Sequence, residues 1–408
     1  MTASLETHFR LTNNTPFNIT RIWVTDSNSD EWVGVSHPDR NLNERSLKAY
    51  SSLEEREELN YWKKAARFRL HMEFETGDVF WIDIYQYDSY HNYTRELGRY
   101  GKDAGKFIVS QVSGNKWNKI TIFRRVPKKS WMENIPGSKK LSELNIPGTH
   151  ETCALYGGPG PECQTMSLKE QLNAGIRFID IRCRHIKNAF TIHHAAYYQH
   201  KNFRDVLNDC ISFLNEQPQE TIIMFIQPTG TREDCTRDFD ATFLSYLKDN
   251  ESMWYLDKKI PTLDEVRGKI VLIRRFDMNK RKTLGIDVTN WKENTTFFID
   301  IPYAQFRVQD FYKLLTYFNI DEKWNMVESF MNEAQKGAME HWYLNYASAS
   351  QGATPKSVAN KVNPYLFRYM DQVGSNRVGT ILMDFPNEPK DQIPILVEKI
   401  IATNKFSV

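Results

Sequence analysis

The sequence predicts an α/β protein: a distorted (β/α) barrel of the TIM type, preceded by an all-β, sandwich-like domain. Three observations predict it. Within residues 1–125, apolar and polar residues alternate with the period of half-buried strands. From Trp131 onward, strand-like and helix-like stretches take turns. One of those later strands, Glu220–Ile226, is nearly continuously apolar, as a strand of a buried parallel sheet must be.

In the first domain, Phe68, Leu70, Met72 and Phe74 alternate with Arg67, Arg69, His71 and Glu73. Thr76-Gly77-Asp78 makes a turn, and Phe80, Ile82 and Ile84 then alternate with Trp81, Asp83 and Tyr85, which completes a hairpin. Further strands are expected at Asn18–Val24, Glu31–Val35, Lys106–Val112 and Lys119–Phe123. The charged span Asn43–Lys64 is expected to hold a helix or a long loop. Trp23, Trp32, Trp62, Trp81, Trp117 and a tyrosine cluster from Tyr85 to Tyr100 suit a sheet core, with a membrane-inserting or sugar-holding rim as the alternative. No catalytic constellation is visible there.

Arg124–Ser130 reads as the linker, and residues 131–408 as the second domain. Helices are expected at Met166–Ala174, 203–214, Phe239–Lys248, Asp321–Gln335, Val358–Met370 and Gln392–Thr403. Strands are expected at Phe178–Arg182, Phe190–His194, Lys269–Arg274, Thr296–Ile301, His341–Tyr346 and Val378–Phe385. The apolar face Phe203, Val206, Leu207, Cys210, Ile211 and Leu214 has helical spacing.

Composition narrows the function classes. With 53 Lys+Arg against 51 Asp+Glu, the chain lacks the basic footprint of a nucleic-acid binder. No apolar run approaches the ~18 residues that a membrane span needs. The first residues show no apolar signal-peptide core. The five cysteines, 153, 163, 183, 210 and 235, fit no zinc spacing and are expected as buried free thiols, a Cys153–Cys163 bridge being the minority alternative.

Chemistry concentrates at predicted strand ends. In Asn145–Thr152, Pro147 and Gly148 stop a strand just before His150 and Glu151. Asp180 and Arg182 share one face of Phe178–Arg182. His194 ends another strand, and Asp384 ends Val378–Phe385. In a parallel barrel such ends converge on one rim. Two imidazoles supply a base and an acid near neutral pH, and arginine suits a phosphate. That set serves phosphodiester cleavage by an internal hydroxyl, although each piece alone is more ordinarily structural.

Ile146–His150, Ala174–Arg182, His193–His194, Glu220–Met224 and Ile381–Pro386 resemble the bacterial phosphatidylinositol-specific phospholipases C. The resemblance covers residues ~131–408 and leaves the N-terminal domain unrecognised. It implies a metal-free reaction giving diacylglycerol and inositol 1,2-cyclic phosphate. In that reading His150 is the base, oriented by Asp384, and His194 the acid. Arg182 clamps the phosphate, with Asp180 and Glu151 supporting acid and arginine. Arg275, Asp310 and Tyr312 match headgroup partners, and Gln227 stands where the family has lysine. No cofactor is implied, since Arg182 takes the place of the calcium in calcium-dependent relatives. The implied partner is phosphatidylinositol, or another inositol phospholipid including a glycosylphosphatidylinositol anchor, at a membrane surface. The implied location is secreted or peripheral at membranes.

Departures from the family carry expectations. Glu151 stands where the family has aspartate, one methylene longer. Ala154–Glu162 and Ser348–Pro355 lack the family's rim tryptophans, so the N-terminal aromatics are expected to take over the membrane contact. The competing readings are a metal-dependent glycerophosphodiester phosphodiesterase and a non-catalytic inositol-lipid-binding protein.

Overall fold

A computed structural model describes residues 4–28, 32, 37–60, 66–86, 93–96, 98–114, 117–278 and 284–407. The chain divides into two compact units. One comprises Met1–Val126, Arg368–Asn376 and Lys405–Val408; the other comprises Pro127–Phe367 and Arg377–Asn404.

The first unit contains two five-stranded sheets. One orders its strands Ser51–Asn60, Ser4–Asn14, Trp117–Arg124, Phe107–Gly114, Tyr93–Glu96. Ser4–Asn14 runs parallel to Trp117–Arg124, and the other pairings are antiparallel. The second sheet, Arg45–Leu47, Ile19–Thr25, Ala66–Phe74, Val79–Gln86, Arg99–Tyr100, is antiparallel throughout. Both sheets contribute to one core: Phe9, Leu11, Ile120 and Ile122 from the first, Phe68, Leu70, Ile82 and Ile84 from the second. The alternation that predicted the hairpin is the alternation that fills this sandwich. Gly77, at φ 76°, turns it.

Asn43–Lys64 differs from expectation. It holds strands Arg45–Leu47 and Ser51–Asn60, not a helix. Leu53 faces inward opposite Leu11, and Glu57 opposite Thr7. The high content of glutamate hid the period of two, because Glu57 is itself buried. The strand expected at Glu31–Val35 lies outside the described residues except for Trp32, as does Trp62. Trp23, Trp81 and Trp117 are half-buried and engaged. Trp23 stacks on His71, which packs against Trp81, and Trp117 stacks on His8. Trp32 is buried in the core.

The second unit is a curled, mostly parallel sheet. Its path is Trp254–Tyr255, Ile270–Arg274, Ile222–Pro228, Phe178–Ile186, Ile146–Thr149, Thr380–Met383, His341–Tyr346, Ala304–Gln309, Thr296–Ile301. Every pairing along it is parallel except the last. Among the described residues no pairing joins the two ends of the path, so the barrel is an open one. Helices cross between strands as a parallel sheet requires. Ser167 caps Leu168–Ala174, accepting a bond from the Glu170 amide, and Gly175 ends it at φ 106°. A hairpin, Ala189–His194 with Tyr197–Asn202, folds off the long strand Phe178–Ile186. Among the described residues no helix is long and apolar enough to cross a membrane. All five cysteines are unpaired, four buried and Cys235 half-buried.

Candidate active site

Register brings the predicted residues together. Thr149 pairs with Met383 in parallel strands, so His150 and Asp384 leave the sheet side by side. His150 Nδ1 lies 2.9 Å from Asp384 Oδ1. The turn carrying His150 needs Gly148, because a Cβ there would meet the Phe178 Cβ at 2.9 Å. Glu151 follows in the left-handed region, at φ 44°. Such strain in a non-glycine residue is tolerated where surrounding contacts over-determine it. Here the Glu151 amide donates to Asp180 Oδ2 at 3.2 Å.

Asp180 and Arg182 share a face, and Arg182 pairs in register with Gln227. The Arg182 guanidinium is held twice: by Asp180 Oδ2 at 3.0 Å and by Glu151 Oε1 at 2.6 Å. The longer Glu151 also reaches within 3.7 Å of His194 Nε2. It therefore spans the guanidinium and the second imidazole. His194 comes from the hairpin rather than from a barrel strand, and its Nδ1 donates to the Pro161 carbonyl at 2.6 Å. Alternation turns His193 the other way, buried against Tyr198.

His150, Arg182 and His194 line one cleft of about 520 Å³, together with Gln227, Arg275, Asp310 and Tyr312. A chain of polar contacts runs round its wall. Gln227 donates to Asp180 Oδ1 at 3.3 Å and accepts from Arg275 at 3.0 Å. Arg275 pairs with Glu293, which accepts from the Tyr312 hydroxyl at 2.9 Å. Trp291 donates to Asp310 at 2.9 Å. Glu293 escaped the sequence reading, since a lone acid in a Lys-Glu-Asn stretch carries no pattern. The strand Ala304–Gln309, which delivers Asp310 and Tyr312, also escaped it, although Ala304, Phe306 and Val308 alternate inward.

Electrostatics follows from burial and pairing. Burial pulls the His150 pKa down, but the Asp384 carboxylate more than offsets it, and the net direction is up. Burial raises Asp180, yet Arg182 and His150 win and its net direction is down. Glu151 is raised, chiefly by burial. Arg182 loses something to burial but is driven up by Asp180 and Glu151, so it stays cationic. Behind the wall, buried Lys323 is pulled down to about 7 by burial, and it donates to Gln309 and to the Phe311 carbonyl. Among the described residues one set of donors is close enough for a cation: a His150 ring nitrogen, the Cys163 sulfur and an Asp384 oxygen, all within 4.8 Å of one another.

The profile of the family described as Phosphatidylinositol-specific phospholipase C, X domain, matches residues 138–276. The 1-phosphatidylinositol phosphodiesterase of Listeria monocytogenes is 31% identical over 310 residues, covering 72% of this chain and 90% of the relative. The chain belongs to the phosphatidylinositol-specific phospholipase C family. The enzyme of the same name from Staphylococcus aureus strain Newman is 28% identical over 297 residues, covering 68% of this chain and 94% of the relative. Among solved structures, a Staphylococcus aureus phosphatidylinositol-specific phospholipase C superposes with a TM-score of 0.62 at 27% identity, covering 69% of this chain and 98% of the other. The phosphatidylinositol-specific phospholipase C of Listeria monocytogenes gives 0.54 at 29%, covering 69% and 100%. The matched profile holds His150, Glu151, Asp180, Arg182, His194, Gln227 and Arg275, while Asp310, Tyr312 and Asp384 lie beyond it.

Proposed function

We propose that this chain cleaves phosphatidylinositol to diacylglycerol and inositol 1,2-cyclic phosphate, without a metal, by paired histidine acid–base catalysis. The observation that supports this reading is the cleft shared by His150, Arg182 and His194. With Nδ1–H donated to Asp384, His150 keeps Nε2 bare to take the proton of the inositol 2-hydroxyl. The freed oxygen attacks phosphorus. Arg182, fixed by two carboxylates, neutralises charge on the non-bridging oxygens. His194 enters as the imidazolium, its Nδ1–H on the Pro161 carbonyl, and Nε2 gives its proton to the departing glycerol oxygen. Glu151, 3.7 Å away, stabilises that imidazolium. Arg275, Glu293, Asp310 and Tyr312 present donors and acceptors for the ring hydroxyls, with Gln227 joining them to Asp180.

The singly charged guanidinium of Arg182 already pairs with both Glu151 and Asp180, the carboxylates a divalent ion would need, which speaks against a metal-dependent glycerophosphodiesterase. The presence of both imidazoles and Asp384 speaks against a retired, merely binding barrel. The test is release of cyclic inositol phosphate from phosphatidylinositol vesicles, with and without excess chelator. Full activity in chelator supports the reading, and activity restored only by a divalent ion overturns it.

The membrane contact belongs to the second unit in this reading. The side chains of Trp62, Tyr85, Tyr87, Tyr90 and Tyr93, on which the N-terminal expectation largely rests, lie outside the described residues. The stretch after the cleft residue Tyr312 exposes Leu315 at 88%, Phe318 at 86% and Tyr317 at 50%. It is tied to the cleft wall through the Leu314 amide on the Ser350 carbonyl at 3.0 Å. Apolar tips at the mouth of a lipid-cleaving cleft suit insertion at the lipid interface.

A further inference from the structure

Cys163 takes no part in the reaction just derived, yet its sulfur lies between the two histidines. It is 3.9 Å from His194 Nδ1 and within 4.8 Å of both a His150 nitrogen and an Asp384 oxygen. The second oxygen of Asp384 is buried and has no hydrogen-bond partner. A buried, unpartnered carboxylate oxygen is costly unless something satisfies it. Burial first, and then the Asp384 and Glu151 carboxylates, push the Cys163 thiol well up, so the sulfur keeps its proton until a cation displaces it.

We propose that His150, Cys163 and Asp384 form an inhibitory site for a thiophilic divalent cation of the zinc class. The donor set is nitrogen, sulfur and oxygen, which suits zinc and leaves its fourth position open. Calcium and magnesium take oxygen donors and are excluded by the thiolate. Binding exchanges metal for proton. The Cys163 S–H bond breaks, its proton leaves to solvent, and the sulfur lone pair forms the metal–sulfur bond. His150 joins as neutral imidazole and Asp384 as carboxylate, so the dication is neutralised by thiolate and carboxylate. The bound cation takes His150 and Asp384 away from proton transfer, so turnover stops. The inhibitory consequence rests on the reading of His150 as the base; the binding does not.

The experiment uses the full chain, reduced, stripped with chelator and exchanged into metal-free buffer. Zn²⁺ is expected to abolish turnover of phosphatidylinositol vesicles, chelator to restore it, and Ca²⁺ at equal concentration to leave it unchanged. Cys163→Ser is expected to keep the metal-free rate. Losing even an outer partner of a metal ligand costs roughly 10–100-fold in affinity, so the variant should need at least that much more Zn²⁺. Co²⁺ should give a sulfur-to-metal charge-transfer band that Cys163→Ser lacks. Equal Zn²⁺ sensitivity in the variant, or no such band, overturns the site. Should the chain turn over no phosphatidylinositol at all, the cobalt band and calorimetric Zn²⁺ titration still decide the binding, so the two failures remain separate.

Discussion

Asp384 stands 2.9 Å from His150 although 234 positions separate them, because the last paired residues of their strands, Thr149 and Met383, are neighbours. The pairing raises the pKa of His150 and fixes its tautomer. In the proposed mechanism His150 is the base and must be neutral to work, so the acid limb of the kcat/KM profile should lie above the ordinary histidine value. Asp384→Asn should move that limb to lower pH and cut kcat by roughly 10²–10⁴-fold. A pH–rate profile of both proteins checks it; an unmoved limb contradicts the pairing.

Arg182 is clamped at 2.6 and 3.0 Å by Glu151 and Asp180. Lysine carries the charge without the planar fork. Arg182→Lys should lower kcat by roughly 10²–10³-fold, the range for removing one transition-state donor. Chelator should change neither protein's rate.

Glu151 uses its extra methylene to touch both Arg182 and His194. Glu151→Asp withdraws the carboxylate by about 1 Å, a displacement worth up to ~100-fold in rate. In the proposed mechanism the loss should fall on kcat more than on KM, since both Arg182 and His194 act on charge that develops in the transition state.

Leu315 and Phe318 are almost fully exposed. Leu315→Ser with Phe318→Ser should weaken sedimentation with phosphatidylinositol-containing vesicles by roughly tenfold or more, each buried side chain being worth about 1.5–3 kcal/mol. Hydrolysis of a soluble inositol phosphodiester should be unchanged. Deleting residues 1–125 tests the alternative, in which the N-terminal aromatics hold the membrane.

Glu57 is fully buried without a hydrogen-bond partner, and burial, then Glu55, lifts its pKa to about 8. Because the folded value is raised, the stability linked to its proton is complete below the unfolded value and is lost as pH rises towards 8. Glu57→Gln should therefore be more stable than the parent, by up to about 3 kcal/mol at pH 7, with the gap closing towards pH 5. Calorimetric melting at several pH values checks it.

Much of the site was legible because a parallel strand ends abruptly and its next residue points to the rim. His150 and Asp384 sit at such ends, whereas Asp180 and Arg182 were legible from alternation: they share one face of Phe178–Ile186, which runs four residues beyond the expected end at Arg182. Glu293 and Cys163 were not legible: they lie on loops, where placement depends on tertiary contacts and not on period. Ser51–Asn60 misled for a different reason. Glutamates occupy both of its faces, and one of them, Glu57, is inside.

The first unit begins with the strand Ser4–Asn14 and pairs it, in parallel, with its last strand, Trp117–Arg124. Loop closure over so long a separation makes this a late contact in folding. On the ribosome, the opening strand must wait with one edge unsatisfied until the final one emerges. A chain cut short before Trp117 would keep that edge bare, a template for joining another copy.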